Sequence, residues 1–299
     1  GIGVAIALGA GLGASIAAQS PAAQPASSVA KNGTDNDEWT RTFPPFRIIG
    51  NVYWVGGYDL STYLITTPQG HILINTGVGD TAKQIAASVT QLGFKMSDVK
   101  ILTATHGHID HVAGLAELKR MTGAPVVIAE PDKELLETGG RADYLLGKQP
   151  SMQFEPVKVD RTVRDGETIA LGGTELTAHL TAGHTKGATS FSFTVQDSGK
   201  DYRVVIANMP SINGGTKLTG MPGYPGIGKD YAQAFLTLKD MKIDVFLASH
   251  ASQFRLHEKY TPGAAYDPAR FVDPAGFLRS VNQLEKAYLD QLEKERSGK

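Results

Sequence analysis

The stretch TATHGHIDHVAG, residues 103–114, places His106, His108, His111 and the carboxylate of Asp110 within six consecutive positions. With only 8 histidines in 299 residues, a chance His-x-His-x-Asp-His match has a probability on the order of one in a few thousand. The chain has no cysteine, so any metal must sit on nitrogen and oxygen. Alternate residues of an extended segment point the same way, which lets His106 and His108 approach one ion together. Asp110 and His111 are neighbours that point apart, a geometry that favours a second ion over four ligands crowding one.

Two more histidines, His184 in TAGHTKGATS and His250 in ASHASQF, each follow a strand-like run. Strand ends that lie side by side bring such loops together. Six ligands then divide into His106, His108 and His184 for one Zn²⁺ and Asp110, His111 and His250 for another, giving two Zn²⁺ per chain. Three protein ligands leave a zinc an open position for water. Two ions roughly 3.5–4 Å apart would share that water and lower its pKa towards about 7. The expected chemistry is a hydroxide nucleophile at neutral pH, with no Ser or Cys required. The alternative, a solvated polar turn, does not explain why three imidazoles share it. For His184 and His250 taken singly, a capping or buried histidine is the alternative. His71, His179 and His257 lack such placement and read as structural.

These ligands need strands to carry them. From FRIIGNVYWVGG to DLSTYLITTPQGHILINTG the chain alternates β-branched and aromatic runs with turn residues, as antiparallel strands do. A helix is expected over Thr81 to Leu92, with Ile85, Val89 and Leu92 on one face, followed by the strand VKILTAT running into His106. Val112 to Met121 reads as a helix, APVVIAE as a strand, and Pro131 to Pro156 as loop-rich. A hairpin is expected around Gly172 and Gly173, and another pairs TSFSFTV with YRVVIAN across QDSGKD. YAQAFLTLKDMK reads as a helix and IDVFLAS as a strand ending at His250. From Pro274 to about Glu295, Phe277, Val281, Leu284, Tyr288 and Leu292 make one stripe of an amphipathic helix capped by Asp273. The repeated order of strands, helix, strand, helix suggests two similar halves.

Composition is that of a globular chain, 41% hydrophobic and 20% charged. A net charge of -1 gives no broad attraction for nucleic acid or anionic membranes. Residues 1–28 are uncharged and rich in Ala and Gly, like the apolar region of a secretory signal peptide without its Met and basic start. A low-complexity tail is the alternative, and a transmembrane anchor would need about 20 strongly apolar residues. Residues 19–38 read as linker and the folded body begins near Trp39, so 1–38 is expected to be leader remnant and linker, and 39–299 one domain.

The series His106-x-His108-x-Asp110-His111, Gly183-His184 and Ser249-His250 resembles the metallo-β-lactamase superfamily, and the resemblance covers the body from residue 39 to the end. Histidine in place of cysteine at the second metal and the adjacent Asp110-His111 pair resemble the third subclass of true metallo-β-lactamases. The phrases YDLSTYLI, HILINTG, VVIANMPSI and ASHASQFRLHEK look like its GOB-type branch. That branch carries Gln where this chain has His106, so an ordinary three-His first site is implied here. Most of the subclass has a water-ordering Ser at the position of Met209. A thioether is a poor acceptor, and the branch shares this Met.

The resemblance implies a four-layer αββα sandwich with the metal site at one edge of its two sheets. It implies hydrolysis of penicillins, cephalosporins and carbapenems in the bacterial periplasm, hence antibiotic resistance. The first zinc would polarise the lactam carbonyl while the hydroxide attacks, and the second would bind the substrate carboxylate and the leaving nitrogen. Asp110 would orient the nucleophile, or serve as ligand only. Ser211 and Lys186 are candidates for the substrate carboxylate, and loops around Tyr58 and from Gly139 to Gln153 for the cleft walls. The expected partner is a small β-lactam, with no nucleic acid, no stable membrane association after leader cleavage, and a monomeric state. Rival readings are a thioesterase or lactonase of the same fold, which would bring a bridging Asp where this chain has Asn208 and Met209. A metal-dependent RNA nuclease meets the same objection, and a non-catalytic zinc-binding protein is the rival from another class.

Overall fold

The structure, a computed structural model, describes Gly1, residues 36–79 and residues 81–298. Most of the expected leader and linker therefore lies outside the described residues. Ahead of the first strand, a single turn α1 (Asp37–Thr40) is capped by the Asn36 side chain, which accepts the Glu38 N–H.

The runs between Phe46 and Ile74 form β1 (Phe46–Ile49), β2 (Val52–Trp54), β3 (Tyr63–Thr67) and β4 (Gly70–Ile74), antiparallel neighbours in chain order. Helix α2 (Thr81–Gln91) then makes a crossover, so that β5 (Val99–Thr103) pairs parallel with β4. After α3 (Ile109–Val112) and α4 (Leu115–Thr122), β6 (Val126–Ala129) and β7 (Arg161–Val163) extend the parallel part, with α5 (Lys133–Glu137) between them. The first sheet has seven strands in the order β1 to β7.

The second sheet has five strands, β8 (Thr168–Leu171), β9 (Thr174–Leu180), β10 (Thr189–Asp197), β11 (Lys200–Ala207) and β12 (Val245–Ala248). Its hairpins turn on Gly172-Gly173 and on Ser198-Gly199, all four with positive φ, the backbone a two-residue loop between twisted strands requires. Helix α6 (Ile227–Asp240) makes the second crossover, which sets β12 parallel to β11. One short helix and one long helix finish the chain, α7 (Leu256–Lys259) and α8 (Pro274–Ser297), the latter capped by Asp273 as expected.

Both faces of the first sheet are buried, and the period-two alternation of its strands divides side chains between two cores. Tyr63, Ile65, Ile72 and Ile74 meet Leu176, Phe191, Phe193 and Ile206 of the second sheet. Leu64, Leu73, Leu102 and Ile128 face the other way, onto Ala82, Ile85 and Val89 of α2 and Leu115 and Leu118 of α4. Tyr231 and Phe235 of α6, with Phe277 and Val281 of α8, cover the second sheet. The result is helices, sheet, sheet, helices. Fully buried Trp54, Phe191 and Phe246 each contribute about 1.5–3 kcal/mol of apolar transfer.

One element differs from expectation. The helix read over Val112 to Met121 is two pieces, α3 and α4, with Gly114 between them. Gly114 donates its N–H to Thr76 Oγ1 at 3.0 Å, and a Cβ there would stand 3.1 Å from Thr76 Cβ, so the chain is pinned to the exit of β4 instead of running straight.

Candidate metal centre

Two of the parallel pairs, β4/β5 and β11/β12, end at the same edge of the sandwich, the usual place for a site in sheets of this kind. The exits are tied together by hydroxyls: Ser249 Oγ, just past β12, donates to Thr105 Oγ1 at 2.9 Å, and Thr105 donates on to Asn75 Oδ1 at 3.2 Å. Asn75 Oδ1 also accepts the Thr105 N–H at 2.8 Å, from a backbone with φ 64°. This polar knot sits one residue before His106 and one before His250.

The loop after β5 brings His106 and His108 together with His184, from the β9 to β10 connection. The candidate ligand atoms of these three lie within 4.8 Å of one another. A second group within the same limit is His106, Asp110 and His111. His250 enters through Asp110, whose Oδ2 is 3.1 Å from His111 Nε2 and 3.4 Å from His250 Nε2. All six expected ligands thus converge, with His106 and Asp110 at the junction.

The donor set fits metal ions on three counts. Both nitrogens of His106 are buried without a hydrogen-bond partner, and those of His111 have no polar partner but the Asp110 oxygen 3.1 Å from Nε2, a costly state that ligation through one nitrogen of each ring would relieve. His108 Nδ1 and His184 Nε2 stand 3.1 Å apart, close to the roughly 3.3 Å expected of two nitrogens 2.0–2.1 Å from one tetrahedral ion. Finally, three of the rings are held from behind. His184 Nδ1 donates to the Ser211 carbonyl at 2.9 Å, His250 Nδ1 lies 2.9 Å from Asp59 Oδ2, and His108 Nε2 lies 3.2 Å from Asp143 Oδ2. Such partners fix which nitrogen faces an ion.

Electrostatics favour the neutral, ligating form at three of the histidines. At His108 and His250 burial also disfavours charge, but the facing carboxylates, Asp143 for the one and Asp110 with Asp59 for the other, outweigh it, so an ion would have to displace a proton there. Burial, reinforced by neighbouring imidazoles, holds His106 far below the usual histidine range and His184 at about 3, so both are neutral and able to ligate. Burial also lowers His111, against the pull of Asp110. Burial disfavours charge on His250, but Asp110 and Asp59 outweigh it and raise its pKa to about 9. Burial would raise Asp110, yet His111 and His250 hold it well below the carboxylate range.

A cavity of about 560 Å³ opens over these residues. Ser211, Asn208 and Met209 line it, as do Leu146, Gln149 and Met152 from the Gly139 to Gln153 loop. Tyr58 does not. It is sandwiched between the Arg41 guanidinium and His257, while its neighbour Asp59 reaches the cavity. Lys186 is exposed, with its ammonium 5.7 Å from the Tyr224 ring, and lines a separate small cavity with Asp132 and Asp143. His71 packs on Phe94, His179 bonds Ser192 Oγ at 2.7 Å, and neither they nor His257 line the metal cleft.

Sequence reading missed Trp39, whose ring lies 5.8 Å from His250 and lines the cleft. It also missed Asp132, which is fully buried and accepts from Gly107 N–H, Thr185 Oγ1 and Gly187 N–H at 2.7–2.8 Å. That carboxylate clips the His106–His111 loop to the His184 loop. A lone acid far from the motif carries no spacing signal that would have marked it.

Residues 55–199 match the family model described as the metallo-beta-lactamase superfamily. Among solved structures, a beta-lactamase from Chitinophaga pinensis is 46% identical, with 89% of this chain and 100% of that one covered and a TM-score of 0.86. The class B3 di-zinc metallo-beta-lactamase LRA-12 from an Alaskan soil metagenome is 44% identical over 87% of this chain and 98% of its own, TM-score 0.84. GOB-18 from Elizabethkingia meningoseptica is 43% identical over 89% and 98%, TM-score 0.86. Curated relatives match over less: the chain spans about half their length, as with 41% of a "Probable metallo-hydrolase" of Burkholderia pseudomallei, 29% identical over 127 residues. With two His/Asp clusters at the sheet edge and this likeness along nearly the whole body, the chain belongs to the metallo-β-lactamase superfamily, in its B3 subclass.

Proposed function

We propose that this chain is a zinc-dependent β-lactamase that opens the cyclic amide of penicillins, cephalosporins and carbapenems and so confers resistance. The observation that carries the reading is the pair of ligand clusters meeting at His106 and Asp110 in one open cleft. The 43–46% identity to solved β-lactamases supports it. His106, His108 and His184 are assigned to one Zn²⁺, and Asp110, His111 and His250 to the other. Bound there, the two ions would polarise the lactam carbonyl and make a water acidic enough to attack at neutral pH.

The chain's own residues do the rest. Asp110, ionised at neutral pH, accepts a hydrogen bond from the attacking water and aims it. The Ser211 hydroxyl, at the cleft wall beside His184, donates to the substrate carboxylate. Leu146 and Met152 offer apolar surface to the fused rings. Lys186, outside the cleft in this conformation, adds positive charge only at longer range.

Asn208 and Met209 occupy the exit of β11, where a thioesterase or lactonase of this fold would place a bridging carboxylate, and this favours the lactam. The phrases YDLSTYLI and ASHASQFRLHEK support the GOB-type branch, with His106 as the departure. The leader-like residues 1–28 support export to the periplasm, with 39–299 as one catalytic domain. Among the described residues no helix is long and apolar enough to cross a membrane.

The test is ultraviolet-monitored hydrolysis of a carbapenem and a penicillin by protein of measured zinc content, with and without chelator. Rapid turnover at two zincs per chain, abolished by chelation and restored by Zn²⁺, is expected. Two tightly bound zincs without lactam turnover would redirect the reading to thioesters and lactones.

A further inference from the structure

Resting on the assignment of His108 as a ligand, we propose that Asp143 is a positioning residue that couples metal binding to the order of the cleft wall. Its two oxygens serve two structures. Oδ2 faces His108 Nε2 at 3.2 Å, while Oδ1 accepts the N–H groups of Leu145 at 2.8 Å and Leu146 at 2.6 Å. The two side chains are nearly inaccessible, at 8% for His108 and 3% for Asp143, so water is a poor substitute partner.

The turn that Asp143 caps is the start of the wall. Gln149 N–H donates to the Leu146 carbonyl and Met152 N–H to the Gln149 carbonyl, so Leu146, Gln149 and Met152 reach the cavity from one connected run. On the opposite side of the His108 ring, Nδ1 faces His184 Nε2. A neutral imidazole carries one N–H. Ligation through Nδ1 places that hydrogen on Nε2, where it bonds Asp143, and fixes the ring between ion and carboxylate; unligated, Asp143 shares the ring with the competing contact from Nδ1 to His184 Nε2. Filling the site therefore fixes the tautomer that holds Asp143, and Asp143 holds segment 143–152.

The carboxylate is also required for the coupling. Both of its partners are donors, and Asn offers one acceptor where Asp offers two. Asp143→Asn can cap the turn or meet His108 Nε2–H, but not both.

The experiment is amide hydrogen exchange on the full chain with and without Zn²⁺, paired with zinc titration against a competing chelator. In the wild type, zinc is expected to slow exchange at Leu145 and Leu146 at least tenfold, with residues 261–266 unchanged as an internal reference. Asp143→Asn should weaken one of the two zinc sites by about 10–100-fold and abolish the zinc response of the segment. Lys286→Ala, which removes an exposed ion pair with Asp290 on α8, should leave both zinc affinities as in the wild type. A wild-type segment that exchanges equally with zinc bound and removed, or zinc affinity unaltered by Asp143→Asn, would overturn the coupling while leaving the metal assignment intact. Failure to bind zinc at all would overturn the assignment itself. The wild-type arm decides the matter even where the Asn variant does not fold.

Discussion

Asp59 Oδ2 lies 2.9 Å from His250 Nδ1 across 191 positions of sequence, and its other oxygen accepts the Ser252 N–H, also at 2.9 Å. One carboxylate thus fixes both a ring and the loop that carries it. Burial would raise its pKa, but His250 and the Ser252 N–H hold it at about 2, so it is ionised at any working pH. Asp59→Asn leaves one acceptor for two donors. Zinc affinity should fall by about 10–100-fold with the circular dichroism spectrum unchanged. Chelator-competition titration measures this, and an unaltered affinity would mean that His250 is oriented by something else.

The candidate ligands were legible in the sequence because metal chemistry admits few residue types and because four of them fall within six positions, His106 to His111. The strands were legible because β3 and β4 alternate strictly between two cores. What fixes the ligands was not. Asp59, Asp132 and Asp143 are single acids scattered along the chain, and only the tertiary fold sets them behind His250, Gly107 and His108. The break between α3 and α4 was hidden for the same reason, since Gly114 is held by Thr76, 38 residues earlier.

Asp132→Ala should be among the most destabilising single changes. It would leave the Gly107 and Gly187 N–H groups and the Thr185 hydroxyl buried without an acceptor. At about 1–3 kcal/mol per orphaned group, with some relaxation, the loss should be roughly 3–5 kcal/mol. Asp132→Asn, which keeps one acceptor, should cost less. Urea unfolding of both variants checks the order, and a loss under about 1 kcal/mol for the alanine variant would refute the clip.

Gly183 precedes His184 with φ 131°, a conformation nearly restricted to glycine. A Cβ there would stand 2.7 Å from Cγ of Tyr231, itself fully buried with its hydroxyl on the Ser211 carbonyl. Gly183→Ala must therefore shift the backbone that aims His184. The expected outcome is a stability loss of about 2–3 kcal/mol together with reduced zinc content. Metal analysis of the purified variant separates the two, because strain alone would lower stability and spare the zinc.

Acid should release the far end of α8. Glu295 accepts from the Leu218 N–H, the Thr219 N–H and hydroxyl, and the Gln291 amide, tying the helix to the loop ahead of α6. Burial would raise its pKa, but these donors bring it from 4.5 down to about 2. A carboxyl depressed in the folded state stabilises it fully above the unfolded value and loses that contribution as pH falls from 4.5 towards about 2. The group is partly exposed, so solvent screening reduces its worth to about 1 kcal/mol. Glu295→Gln should therefore be less stable than the wild type by about that amount at pH 7, and the gap should narrow below pH 4.5 and close only as pH falls through about 2. Paired urea midpoints across this range provide the check, since a gap that stays constant with pH would assign the effect to geometry instead of charge.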